Sequence, residues 1–422
     1  MLTLKLQNTG ENRTAKNHFY SLCTQSTGKL LLLALLVTLF TGGCKKGDHD
    51  CQHCNQYLVS VTKIGDFTKK QLNARFDDKS GLGYLAALDK YSISVYKIIY
   101  KTKFINDSVV EASGCIIIPQ NAPAPSMISL EHGDILNIEN FAPSNYMPGP
   151  SSVATAYNEG SAEASDGFIV VLPDYLGYGA SKNLFHPPFH SASLATSCAD
   201  MIRAAKEFLH DIHQPWNNKL YLQGYSEGGL ANLSLQKYIE ENHLPFNLIK
   251  AASTGGAPSH ITKIAQYIFN YPSDPGSVKN YLAVILFYNS FYPQLYRPVS
   301  DYLIEPYATD VQNNGLNATI NTSLNTILNP SFVNGINTGT DPGFLSALAD
   351  NDVYDWKPVA PLRLYHGTAD ITVPYFNSED AWNAMTARGA TNVELVTLTG
   401  LDHDAAIQPY VLGSVEFFKA HP

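Results

Sequence analysis

Apolar and polar positions follow two periods along this chain, and the two take turns. Val95 to Thr102 alternates every second residue, as an exposed or edge strand does, and Val109 to Ile118 makes a second strand stopped by Pro119. Asn106-Asp107 between them predicts a hairpin turn. Met127–Leu130, Phe168–Leu172, Leu220–Leu222, Leu248–Ser253, Leu362–Tyr365 and Val393–Leu398 are short strand-like runs. The Phe168 run is continuously apolar, as a strand covered on both faces must be. Ser193–Leu209 places Ala, Met, Ile and Leu at helical spacing. Leu230–Ile239, Ser378–Arg388 and Ile407–Lys419 also read as helices. Strands alternating with helices predict an α/β fold with an open, mostly parallel central sheet and helices on both faces.

The alternation breaks over residues 259–352. Eleven aromatic residues lie between Tyr267 and Tyr307, too apolar a segment for a linker. It predicts a helical cap over the C-terminal edge of the sheet, its rings offering an apolar slot for acyl or aryl groups. The organisation read along the chain is a signal peptide (1–43), a tether (44–55) and a helical N-terminal extension (56–89). A core follows (90–258 and 353–422), interrupted by the cap or lid (259–352).

Leu30–Phe40 is too short to span a bilayer but suits the core of a signal peptide, and Lys5, Arg13, Lys16 and Lys29 precede it. Phe40-Thr41-Gly42-Gly43-Cys44 resembles a bacterial lipobox, which predicts export and a membrane anchor through lipid on Cys44. Ordinary secretion with a different cleavage point is the plainer alternative. The net charge is −9, with no basic run beyond the N-terminus, so nucleic acid is not an expected partner. Of six cysteines, Cys51 and Cys54 have metal-like spacing but no second pair, which favours a local disulfide or free thiols over zinc. Cys115 and Cys198 read as small core residues.

The densest chemistry is Gly224-Tyr225-Ser226-Glu227-Gly228-Gly229, between a strand and a helix. A strand, a tight turn and a helix, with Ser at the turn and Gly on both sides, is the context of a nucleophile elbow. A serine hydroxyl needs a base to take its proton and an acid to orient that base. Asp370 follows the Leu362 strand and His403 follows the last strand, so Ser, acid and base come in the order such sheets use. His366, Asp352, Asp355, Asp402 and Asp404 fit less well by position. An oxyanion needs two amide donors. The Glu227 amide is the first, and the loop at His132-Gly133-Asp134 supplies the second, from Asp134 or Gly133. His132 braces that loop, and the Glu227 carboxylate suits the first turn of a helix.

Glu131-His132-Gly133, Pro173 to Gly179, Gly224 to Gly229, Gly255-Gly256-Ala257-Pro258 and Tyr365 to Asp370 with Val373-Pro374 together resemble the secretory lipase family of α/β-hydrolases. The resemblance covers roughly residues 90 to 420. It implies an esterase or lipase acting on small-molecule or lipid esters, with no cofactor or metal and with a helical cap between the sixth and seventh core strands. A serine peptidase on the same fold is the main alternative. It would need a carboxylate for the substrate's amine, and in the cap Asp274, Asp301 and Glu305 form no obvious cluster. A non-catalytic surface binding protein is the remote one.

Overall fold

The computed structural model describes residues 55–77, 81–135, 139–150, 152–246, 249–273 and 275–422. Signal peptide, Cys44, Cys51, Cys54 and Asp274 lie outside the described residues. Asn55–Pro422 forms one compact unit.

The chain opens with β1 (Leu58–Phe67) and the short helix α1 (Lys69–Arg75). A hairpin of β2 (Ile93–Lys103) and β3 (Val109–Pro119) follows, then β4 (Met127–Glu131), α2 (Ser161–Asp166), β5 (Ile169–Pro173) and α3 (Ser191–Asp211). Next come β6 (Leu220–Tyr225), α4 (Glu227–Glu241) and β7 (Ile249–Gly255). Among the described residues of the insertion are the α-helices α5 (Ile261–Asn270), α6 (Val278–Phe291), α7 (Tyr307–Asn314), α8 (Pro330–Thr338) and α9 (Pro342–Ala349). The chain then closes with β8 (Leu362–Gly367), α10 (Phe376–Ala387), β9 (Val393–Leu398) and α11 (Ile407–Ala420).

These strands form one nine-stranded sheet in the order β1-β2-β3-β5-β4-β6-β7-β8-β9. Pairing is antiparallel from β1 to β5 and parallel from β5 onward. Successive residues of one strand serve opposite faces. Ile116, Val171 and Leu222 join the hydrophobic core on the α3/α4 side, whereas Ile117, Val170 and Tyr221 join the one that contains Val411 and Phe418 of α11. Strands β4, β5 and β6 are therefore buried throughout. Cys115 and Cys198 are buried free thiols in these cores.

Two expectations need correction. Residues 56–89 are not simply helical, because β1 adds an antiparallel edge strand to β2. The reason is local: Val59, Val61, Thr62 and Ile64 are β-branched and favour extended backbone. Glu207 on α3 accepts the backbone N–H groups of Gln56, Tyr57 and Leu58, which ties down the start of that strand. The second correction concerns the aromatic insertion. Its rings pack mainly on one another: Tyr281, Phe287, Tyr288 and Tyr302 are buried, and Tyr302 stands edge-on to Phe332 at 5.0 Å. The apolar space left among α5, α6 and α9 is about 20 Å³, room for little more than a water molecule. Tyr267, Tyr271 and Tyr296 of the same segment remain exposed.

Candidate active site

Register brings the C-terminal ends of the parallel strands together. Glu131 of β4 pairs with Gly224 of β6, Tyr225 with Gly255 of β7, and Gly255 with Tyr365 of β8. The loops carrying the chemical side chains all leave from this edge.

Ser226 sits between β6 and α4 with φ 60° and ψ −125°, a strained conformation for a residue with a side chain. The turn is tight enough that a Cβ on Gly224 would strike the Gly228 carbonyl, and one on Gly228 would strike the Glu131 carbonyl. Both glycines are needed for the backbone to pass. The Ser226 hydroxyl donates to His403 Nε2 at 3.0 Å, and His403 Nδ1–H donates to Asp370 Oδ2 at 2.6 Å. The other carboxylate oxygen of Asp370 accepts the amides of Thr372 and Val373 at 2.9 and 2.8 Å. Burial alone would raise the Asp370 pKa, but hydrogen bonds and electrostatic attraction from His366 and His403 prevail and hold it at about 2. A carboxyl depressed from 3.8 adds stability that is complete above that value and is lost as pH falls towards 2. The Tyr225 hydroxyl donates to the His403 carbonyl at 2.6 Å and braces the histidine loop.

The oxyanion candidates lie beside Ser226. A Cβ on Gly133 would come 3.6 Å from that of Ser226, and Gly133, Asp134 and Ser226 line one cavity of about 200 Å³. The Glu227 amide is the first of α4, so the helix itself offers it no acceptor. His132 is buried, bonds its own loop at the Gly133 carbonyl (2.7 Å) and stacks on Tyr175 with centroids 4.2 Å apart.

The rival acids are occupied elsewhere. Asp352 binds the amide and hydroxyl of Thr262, Asp355 pairs with Arg388, and Asp402 caps the turn at Ala405. Asp404 lines the cavity beside His403. His366, four residues before the acid, bonds locally to Ser378 and the Val373 carbonyl and also stands 3.4 Å from Asp370.

Sequence reasoning also missed what stands behind the nucleophile. The Glu227 side chain is buried and accepts from the Phe189 amide and from His186 Nε2 at 3.4 Å. Burial opposes charge on both groups, but their mutual attraction prevails: the Glu227 pKa is lowered and that of His186 is raised. A buried histidine–carboxylate pair thus supports the first turn of α4. No metal-binding group of three His, Cys, Asp or Glu side chains occurs among the described residues.

This fold and this strand-edge site define a hydrolase of the α/β class. Residues 160–408 match the secretory lipase family, and the chain belongs to that family. Among solved structures, it is similar to a putative hydrolase from Legionella pneumophila (27% identity, TM-score 0.76, covering 87% of this chain and 98% of that one). It shares its fold with a rice cell wall degrading esterase, LipA, from Xanthomonas oryzae (21%, TM-score 0.70, covering 88% and 100%). It also shares it with Candida antarctica lipase A in its closed state (17%, TM-score 0.64, covering 87% and 82%). No curated protein matches the sequence. No helix among the described residues is long and apolar enough to cross a membrane.

Proposed function

We propose that the protein is a serine carboxylic-ester hydrolase acting through an acyl-enzyme. Ser226 attacks the ester carbonyl as His403 takes its proton. Asp370 keeps Nδ1 protonated, turns Nε2 toward the serine and stabilises the imidazolium. The Glu227 amide and the Gly133–Asp134 backbone receive the oxyanion. His403 then protonates the leaving alcohol, and water releases the acid by the reverse path. The observation that carries this reading is the continuous chain Ser226 Oγ–His403–Asp370, with bonds of 3.0 and 2.6 Å. Residues 259–352 serve as the cap, joined to the acid loop where the Tyr281 hydroxyl donates to the Thr372 carbonyl at 2.5 Å.

The pH profile tests the roles. A base must be unprotonated, so turnover of p-nitrophenyl butyrate falls as the solution is acidified. Asp370, held at about 2, stays ionised throughout this range, so the fall does not come from the orienting acid. A rate unchanged between about pH 8 and pH 5 removes histidine from the mechanism.

Export with a lipid anchor at Cys44 belongs to the same proposal, supported by the lipobox-like Phe40–Cys44 and by membership of a family of secretory enzymes. Cys44→Ser is expected to shift the protein from the membrane fraction to the soluble fraction of the envelope. Equal membrane retention of both forms removes the anchor.

A further inference from the structure

Glu227 enters the ester mechanism through its backbone amide alone, yet its side chain is tightly held. It is 1% exposed, and Oε1 accepts from the Phe189 amide at 3.2 Å and faces His186 Nε2 at 3.4 Å. Oε2 is buried with no hydrogen-bond partner. A carboxyl enclosed in this way costs free energy that an alanine would avoid. Such a cost, one residue after the proposed nucleophile, calls for a compensating role.

A continuous set of contacts leads from Glu227 to the loop at 132–134. His186 Nδ1–H donates to the Leu176 carbonyl at 2.8 Å, because a carbonyl can only accept. The contact between Nε2 and Glu227 therefore holds a proton of its own. The turn that carries Leu176 approaches His186 closely: a Cβ on Gly177, at φ 87°, would strike the His186 backbone. The His186 ring also packs on Tyr178, with centroids 4.6 Å apart. Tyr175, in the same turn, donates its hydroxyl to the His132 carbonyl at 3.0 Å and stacks on the His132 ring at 4.2 Å. His132 directly precedes Gly133 and Asp134, which carry the candidate second oxyanion donor. Tyr175 and Phe189 both lie in the left-handed region, at φ 65° and 51°. Residues with side chains persist there only where their surroundings over-determine them, and they cluster at active sites.

We infer that the Glu227 side chain is a positioning residue for the hydrolysis. Through Phe189, His186 and the turn at 174–179 it fixes the loop at 132–134 against the start of α4, so that two amide donors from separate segments keep one spacing. The inference rests on the ester reading for the oxyanion that these amides receive. Such donors act because they are set in place before charge develops, and a displacement of about 1 Å can cost about 100-fold in rate. One residue thus supplies the first amide and, through its carboxyl, orients the segment that supplies the second.

Active sites of the intact protein are counted by titration with diethyl p-nitrophenyl phosphate, and turnover of p-nitrophenyl butyrate is then expressed per titrated site. Glu227→Ala keeps the amide and removes both side-chain contacts. It is expected to lower kcat per site about 100-fold, with KM changed by less than about 3-fold. Glu227→Gln can accept the Phe189 amide through its oxygen and donate its NH₂ to His186 Nε2, and should recover at least about a tenth of the parental kcat. Tyr175→Phe keeps the ring and loses only the bond to the His132 carbonyl, so it serves even where Glu227→Ala does not fold. It should lower kcat per site about 10-fold at unchanged KM. A kcat per site equal to the parent's in either Glu227→Ala or Tyr175→Phe, with only the number of sites or the thermal midpoint reduced, overturns the inference. Equal losses in Glu227→Gln and Glu227→Ala overturn it as well, because charge rather than hydrogen bonding would then carry the effect. A parent that is phosphorylated at Ser226 but turns over no ester sinks the esterase proposal alone. The phosphorylation rate constants of the variants are then expected in the same order, and equal constants overturn the inference. A parent that reacts with neither reagent sinks both.

Discussion

Ser226→Ala is expected to lower kcat/KM for p-nitrophenyl esters by about 10⁴-fold or more, leaving only the rate that amide donors and binding supply. Ser226 Oγ is the hydrogen-bond partner of His403 Nε2. Ser152 and Thr155 also line the cavity, but neither bonds that imidazole, so neither hydroxyl can take over. Alanine keeps the same backbone strain at φ 60°, so the thermal midpoint should stay close to that of the parent. Turnover near the parental level in a purified, folded sample ends the nucleophile assignment.

Asp370→Asn is expected to cost about 10⁴-fold in kcat, with binding of ester little changed. The carboxylate is surrounded by donors: two amides on one oxygen, with His403 Nδ1–H on the other and His366 beside it. An asparagine must turn its NH₂ toward one of these donors, which either lets the imidazole flip or breaks the loop. A loss of about 1–3 kcal/mol in unfolding free energy should accompany the kinetic defect. Asp404→Asn, beside the base but not bonded to its ring, provides the contrast and should alter kcat by only a few fold. If Asp370→Asn keeps a tenth of the activity while Asp404→Asn loses it, the orienting acid has been misassigned.

Much of the scaffold was legible in one dimension. The Phe168 run became β5 and the Leu220 run became the start of β6, because strands buried on both faces are largely apolar. The spacing of Ala, Met and Leu announced α3, which extends two residues beyond each end of the pattern. β1 was misread even though its β-branched residues carried the signal, because an edge strand lacks the continuous apolar run of a central one. The fate of the insertion's aromatics was not legible at all. Composition shows that Phe287 and Tyr288 are apolar, but only packing decides whether they meet substrate or each other, and they meet each other at 5.8 Å.

The sequence by itself determined the α/β class, the family resemblance, and the order in which a serine, an acid and a base leave successive strands. These depend on local periodicity and on short motifs whose backbone demands are met within a few residues. Only the tertiary structure decided that Ser226 and His403, 177 positions apart, stand within a hydrogen bond. It alone decided that His366 stands beside the acid, that buried His186 pairs with Glu227, and that Glu131 and Glu159 line the cavity beside Ser226. Enclosure and charge balance depend on which distant segments exclude water from a side chain, and no local pattern encodes that.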